Sequence, residues 1–219
     1  MVVHVYERAK AAKTVDAVVV ATDSEKILQA VRNAGGDAVM TSESHRTGTD
    51  RIAEVARMPA YAMHELVLNV QGDEPLVDPA AIDACVRATR TEGASIGTVM
   101  APLGDERDLA NPNVVKVVTD RTGFALYFSR AAIPFRRDEN TPREGWAAAR
   151  RHVGLYGYRR EALLALAGMP ATPLELCELL EQLRALENGM RINVAEVASA
   201  QPGVDTAEDL EKVRAILEA

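Results

Sequence analysis

Short apolar runs that alternate with amphipathic segments constrain this chain more than any other feature. Val18-Val19-Val20-Ala21, Leu66-Val67-Leu68-Asn69-Val70 and Ile96-Gly97-Thr98-Val99-Met100 lack the polar alternation of a half-exposed strand. Each therefore reads as a strand covered on both faces. Between the first two, Glu25 to Asn33 sets Ile27, Leu28 and Val31 on one helical face. Asp23 or Ser24 is a natural N-cap there, and Gly35-Gly36 marks the stop. This β-α-β rhythm predicts an α/β fold around a mostly parallel sheet.

The rhythm changes near Asn111. Val114 to Val118, Phe124 to Ser129 and His152 to Tyr158 read as strands with few helices between them. They predict an antiparallel lobe over about 111–159, inserted into a single domain spanning 1–219, with an Arg-rich loop from Arg136 to Arg151. Two helices are expected next, and Thr172-Pro173-Leu174-Glu175 opens the second as a capping box with proline at the first helical position. Its apolar stripe would be Leu176, Leu179, Leu180, Leu183 and Leu186. Arg191 to Val197 reads as a further strand, and Leu210, Val213, Ile216 and Leu217 as the buried face of the last helix.

Composition excludes several classes of function. The net charge of -7 offers no basic face for displacing counterions from nucleic-acid phosphates. No apolar run approaches the roughly 20 residues of a membrane span, and Glu7, Arg8 and Lys10 break up any leader-like opening. A cytoplasmic protein is expected, with Cys85 and Cys177 as buried free thiols.

Two acidic segments could carry chemistry. Asn69-Val70-Gln71-Gly72-Asp73-Glu74-Pro75 closes a buried strand with a tight turn, and ligands of open α/β sheets gather at the carboxyl ends of strands. Asp73 there is either turn chemistry or a metal ligand. Asp205, in Gly203-Val204-Asp205-Thr206-Ala207-Glu208-Asp209, is either a helix N-cap or a second ligand. Together they would supply the two hard oxygen ligands that Mg²⁺ takes from protein. The loop from Thr41 to Arg51 carries hydroxyls and a glycine suited to a base or ribose, or else is a solvated connection. His152 and Tyr156 share a strand face, with Gly154 and Gly157 leaving room nearby, and Arg130 could hold a carboxylate.

In this order, VATDSEKI, SESHRTGTDRIAEV, VLNVQGDEPLV, NPNVVKVV, FALYFSRAAIPF, RHVGLYGYR, TPLELCELLEQLR and GVDTAEDLEKVR resemble the CMP-KDO synthetase (3-deoxy-manno-octulosonate cytidylyltransferase) family. The resemblance runs along essentially the whole chain, and RHVGLYGYR with PLELCELLEQLR points to the KDO branch rather than the sialic-acid branch. It implies a Rossmann-like, nucleotide-diphospho-sugar transferase-like domain with a dimerising lobe, acting in lipopolysaccharide biosynthesis. It further implies direct displacement, in which the anomeric hydroxyl of KDO attacks the α-phosphate of CTP and pyrophosphate leaves. Carried over residue by residue, Asp73 and Asp205 would hold Mg²⁺. Ser44, Arg46, Thr47, Gly48, Thr49, Asp50 and Arg51 would contact the cytidine. Gln71, Glu74, Arg130, His152, Tyr156, Glu181 and Gln182 would line the sugar-acid site. A cytidylyltransferase for sialic acid or an amino-substituted KDO, or a non-catalytic dimeric module, are the competing readings.

One departure bears on the fold. The family opens with a strand and a loop resembling PARxxSxRLPGKPL, and Met1-Val2-Val3-His4-Val5 aligns with the helix after that loop. This sequence is therefore expected to lack a central strand and the cations that face the triphosphate, leaving two rows of backbone groups unpaired.

Overall fold

The computed structural model describes residues 1–135, 137, 149–204 and 206–218. Most of the expected Arg136 to Arg151 loop, and Asp205, lie outside the described residues. The chain runs α1 (Val2–Lys10), β1 (Val20–Thr22), α2 (Glu25–Asn33), β2 (Ala38–Met40), α3 (Gly48–Arg57), a 3₁₀ turn (Pro59–Tyr61), β3 (Leu66–Asn69), α4 (Pro79–Arg90) and β4 (Ile96–Pro102). It continues through α5 (Glu106–Ala110), β5 (Lys116–Thr119), β6 (Ala125–Ser129), β7 (Arg150–Arg159), α6 (Arg160–Leu166), α7 (Pro173–Glu178), α8 (Gln182–Glu187), β8 (Ile192–Glu196) and α9 (Ala207–Leu217).

The main sheet has the path β6-β5-β7-β4-β8, with β3 also on β7. The expected α/β class holds, with the expected antiparallel extension, but the main sheet is mixed and not mostly parallel: among the described residues its one parallel ladder is β4–β8, because β7 enters between β3 and β4. Strands β3, β4 and β8 point one way, but β7 runs against them, between β3 and β4. One edge of β7 pairs with β4 along its whole length. The other is divided: Arg150 and Arg151 pair with β5, whereas Tyr156 to Arg159 pair with β3. The backbone leaving β3 at Asn69 therefore emerges where β7 passes from one partner to the other, and this opens a cleft beside the Gln71–Pro75 turn.

Helix α4 closes down on the sheet where side chains are smallest. A Cβ at Gly97 would lie 2.3 Å from the Thr89 backbone nitrogen, and one at Gly157 would lie 2.2 Å from Thr89 Oγ1. Gly157 thus serves helix–sheet contact and leaves no room for a ligand, whereas a Cβ at Gly154 would meet nothing within 4 Å. The core around Phe128, Ile96, Leu163, Leu183 and Ile192 lies on the opposite side from the cluster of Ile82, Cys85, Val99 and Leu155 under α4.

Strands β1 and β2 form a separate parallel pair. Among the described residues, β1 and β3 have no ladder between them. A cavity of about 1040 Å³ lies there instead, with Val18 and Val20 on one wall, Leu66 and Leu68 on the other, and Ile82 and Val86 of α4 among its lining. Its polar lining includes Thr22, Gly48, Arg51, Asn69 and Asp73.

Several expectations are corrected. The stripe from Leu176 to Leu186 is not one helix: it breaks at Leu179, whose φ of 53° is left-handed, and Leu176 and Leu179 are 62% and 74% exposed. In α9 only Val213 is buried, while Leu210, Ile216 and Leu217 face outward. Cys85 is buried as expected, but Cys177 is exposed, because α7 turns that face away from the core.

Candidate active site

The turn after β3 presents Gln71, Gly72 and Asp73 to solvent, and the Glu74 amide closes it on the Gln71 carbonyl at 3.2 Å. Its second support comes from far along the chain. The Val204 amide donates to the Asp73 carbonyl at 2.9 Å. The residue before Asp205 is thus bonded to Asp73, although Asp205 itself lies outside the described residues. No group of three or more His, Cys, Asp or Glu side chains converges among the described residues. A hard cation shared with a ligand's phosphates needs no such cage, since two carboxylates suffice while phosphate oxygens and water complete the shell. Among the described residues the exposed Asp73 offers one such carboxylate, on the turn that the Val204 amide supports.

Helix α3 points its N-terminus toward the same region. Thr47 caps it, its side chain accepting from the Asp50 amide at 3.2 Å. Gly48 allows a close approach here, since a Cβ would lie 3.3 Å from Asn69 Nδ2 and would make that side chain give way slightly. Arg51 lines the cavity, and its guanidinium is occupied: it donates to Asp23 Oδ2 and to Thr41 Oγ1, each at 2.6 Å. Ser44 packs into its own loop, its amide donating to Ser42 Oγ at 3.1 Å. Arg46 is exposed.

The break at Leu179 places the next pair of candidates. Thr49 Oγ1 donates to Glu181 Oε2 at 2.9 Å, which ties α3 to the start of α8 across the cleft. Burial pushes the Glu181 carboxyl up from its ordinary range, opposed by the hydroxyls of Thr47 and Thr49 and then by Arg184. Glu181 Oε1 and Gln182 Nε2 are buried with no hydrogen-bond partner, and the Arg184 Nη2 lies 4.0 Å from that oxygen. Buried polar atoms in native proteins are satisfied with few exceptions, so two adjacent orphans mark a place for a polar ligand.

Arg130 braces this break. Its guanidinium donates to the carbonyls of Glu178 (2.7 Å), Pro112 (3.0 Å) and Leu179 (3.3 Å), and its amide donates to Glu178 Oε2 at 2.9 Å. The left-handed Leu179 is thus held from β6, and three of the Arg130 N–H groups are spent on backbone.

On β7, His152 and Tyr156 do share a face, with ring centroids 5.3 Å apart. Tyr156 stands opposite Asn69 in the β3 ladder, immediately before the acidic turn. Burial keeps its phenol protonated, well above the ordinary range. Thr98 Oγ1 donates to the Leu155 carbonyl at 2.7 Å, so at 3.0 Å it accepts from His152 Nε2–H. Burial pushes the His152 imidazole down to about 3. Because the unfolded chain protonates near 6.5 and the folded one does not, stability falls as pH drops below about 6.5. Between pH 6.5 and 5 this one group should cost about 2 kcal/mol. His152→Phe should flatten that part of a urea-denaturation pH profile, and an unchanged slope would show that His152 titrates normally.

Glu54, Thr98 and Glu178 carry no signal of their own in the sequence, and Asp23 reads there only as an N-cap. Asp23 could have been found, because it stands at the carboxyl end of β1. The others are apparent only from long-range contacts.

Comparison with known proteins agrees with this geometry. The profile of the family described as cytidylyltransferase matches residues 1–192. A 3-deoxy-manno-octulosonate cytidylyltransferase of Geobacter sulfurreducens is 53% identical over 97% of this chain and 87% of its own length. One from Solibacter usitatus is 47% identical over 100% of this chain and 84% of its own. A solved CMP:2-keto-3-deoxy-manno-octonic acid synthetase complexed with CTP superposes with a TM-score of 0.89 at 39% identity, covering 98% of this chain and 86% of that one. A 4-diphosphocytidyl-2C-methyl-D-erythritol synthase of Anaerococcus prevotii shares the fold alone, at a TM-score of 0.64 and 13% identity. This chain belongs to the cytidylyltransferase family, and within it to the 3-deoxy-manno-octulosonate cytidylyltransferases.

Proposed function

We propose that this chain transfers CMP from CTP to 3-deoxy-D-manno-octulosonate, giving CMP-KDO and pyrophosphate. The observation that carries this reading is the Thr49–Glu181 contact, which joins the nucleotide-side helix to a turn where Glu181 Oε1 and Gln182 Nε2 await a polar ligand. A sugar acid rich in hydroxyls can satisfy both atoms, donating to the carboxylate and accepting from the amide. Tyr156 adds a neutral phenol on the same side, and neutral His152 adds bulk without a charge that would compete for the carboxylate.

In this reading the anomeric oxygen of KDO forms its bond to the α-phosphorus of CTP as the bond to the pyrophosphate oxygen breaks and the hydroxyl proton is released. Positioning supplies most of the catalysis of such a transfer. The loop before α3 would hold the cytidine. Asp73 and Asp205 would hold Mg²⁺, which supplies charge neutralisation on the phosphates. The reaction suits a cytoplasmic enzyme that feeds activated sugar into lipopolysaccharide assembly.

The test is a coupled pyrophosphate assay with CTP, Mg²⁺ and a panel of KDO, 8-amino-KDO and sialic acid. KDO-dependent release exceeding that with sialic acid is expected. Release with sialic acid alone would move the chain to the other branch.

A homodimer is part of the same proposal. Strand β6 is an edge of the main sheet, with Leu126 63% exposed on it, and Phe135 beyond it is 86% exposed. Leu176 and Leu179, in and just after α7, are also exposed, and α7 is tied to β6 through Glu178. Burying such surface against a second copy removes an aggregation-prone edge. Light scattering should give twice the chain mass at micromolar concentration, and Leu126→Lys should halve it.

A further inference from the structure

The segment from Thr41 to Arg46, between β2 and α3, belongs to no helix or strand, yet the proposed reaction asks it to hold a nucleotide in one place. Two side chains of α3 hold it, and they stand three residues apart on one helical face. Arg51 takes the start of the loop through Thr41 Oγ1. Glu54 takes the rest. Its Oε2 accepts from the Ser42 amide at 3.0 Å and also meets His45 Nε2. Ser42 in turn organises Ser44, which bonds to it through both amide and hydroxyl. The Ser42 amide and His45 hold the Glu54 carboxyl below the ordinary range, which keeps it a charged acceptor. Hydrogen bonds to a charged acceptor are about twice as strong as neutral ones.

We infer that Glu54 is the positioning residue of the nucleotide loop: one carboxylate oxygen closes the loop on α3 and fixes where Ser44 and Arg46 stand. Glu54 touches no reacting atom in this account. The inference rests on the proposed cytidylyl transfer and deepens it, because loss of Glu54 should be felt by the nucleotide and not by the sugar acid.

The experiment compares wild type with Glu54→Ala and Glu54→Gln in two measurements. In steady-state kinetics, Glu54→Ala should raise the KM for CTP about tenfold or more, the factor expected for losing a charge-assisted hydrogen bond. The KM for KDO should stay within about twofold, and Glu54→Gln, which keeps an acceptor oxygen, should recover most of the loss. In amide hydrogen exchange, Ser42 and Ser44 should lose protection in Glu54→Ala while the amides of β4 and β7 keep theirs. An unchanged KM for CTP, or equal rises for both substrates, overturns the inference, as does unaltered protection at Ser42 and Ser44. Wild-type protein that makes no CMP-KDO would count against the proposed reaction, and the exchange measurement would still decide the role of Glu54.

Discussion

Asp73→Ala is expected to lower kcat for KDO-dependent pyrophosphate release by about 10²–10³-fold, the loss usual for removing one electrostatic contact to charge that develops in the transition state. The side chain is exposed, on a turn whose own bonds are made by backbone atoms, so stability should move by less than about 0.5 kcal/mol. Stability and rate are thereby separable at this position. On the proposed reading Asp205→Ala should show the same defect, and the double variant should be little worse than either, because two carboxylates that would share one cation would act as a unit. The bond from the Val204 amide to the Asp73 carbonyl brings the segment before Asp205 to this turn. A loss smaller than about tenfold for Asp73→Ala would remove this carboxylate from the chemistry.

Arg184→Ala is expected to have the largest effect on stability. The Arg184 Nη2 and Nε donate to the two carboxylate oxygens of Glu175 at 2.5 and 2.8 Å, and Nη1 donates to the Met169 carbonyl at 3.3 Å. The two side chains are only 9% and 12% exposed. The guanidinium holds the Glu175 carboxyl below its ordinary range, which its burial alone would raise. Removing the cation leaves that carboxylate buried and uncompensated, at a cost of about 3–5 kcal/mol. Chemical denaturation should read that loss at pH 7. Replacing both partners, as Glu175→Leu with Arg184→Met, should restore much of it. If the single variant loses less than about 1 kcal/mol, the pair is not structurally important.

The strands of this fold were legible in the sequence to within a few residues. An apolar run bounded by turn signals reports burial on both faces whatever the neighbours are. Direction was less legible: nothing in Arg150–Arg159 shows that β7 would run against β3 and β4 and share one edge between β3 and β5. The Leu179 break was hidden for a related reason. Leucines at helical spacing continue across it, and what stops the helix is Arg130 and Glu178 meeting from 48 residues apart. The identities of the acidic turn, the α3 loop and the Glu181–Gln182 pair were legible because short motifs carry them. The partners that aim those residues were not, since Thr98 with His152, and Glu178 with Ser129, are contacts between segments far apart in the chain.

The gap between β1 and β3 has a consequence for how this molecule opens. With no ladder across the gap among the described residues, the β1–α2–β2 segment is tied to the rest through α1, α3 and side chains, and its small cluster of Leu28, Val31 and Ala38 is shared with Tyr6 of α1. A segment with few shared backbone bonds and a small core apart from the main one is a low-energy cooperative unit of local unfolding. Because Thr41, at the end of β2, anchors Arg51, each opening of that unit would release the nucleotide loop as well. Nucleotide entry and the breathing of this small unit would then share one free-energy scale, so that CTP, by binding only the closed form, would act as a folding ligand for about a tenth of the chain's length while the main sheet stays shut.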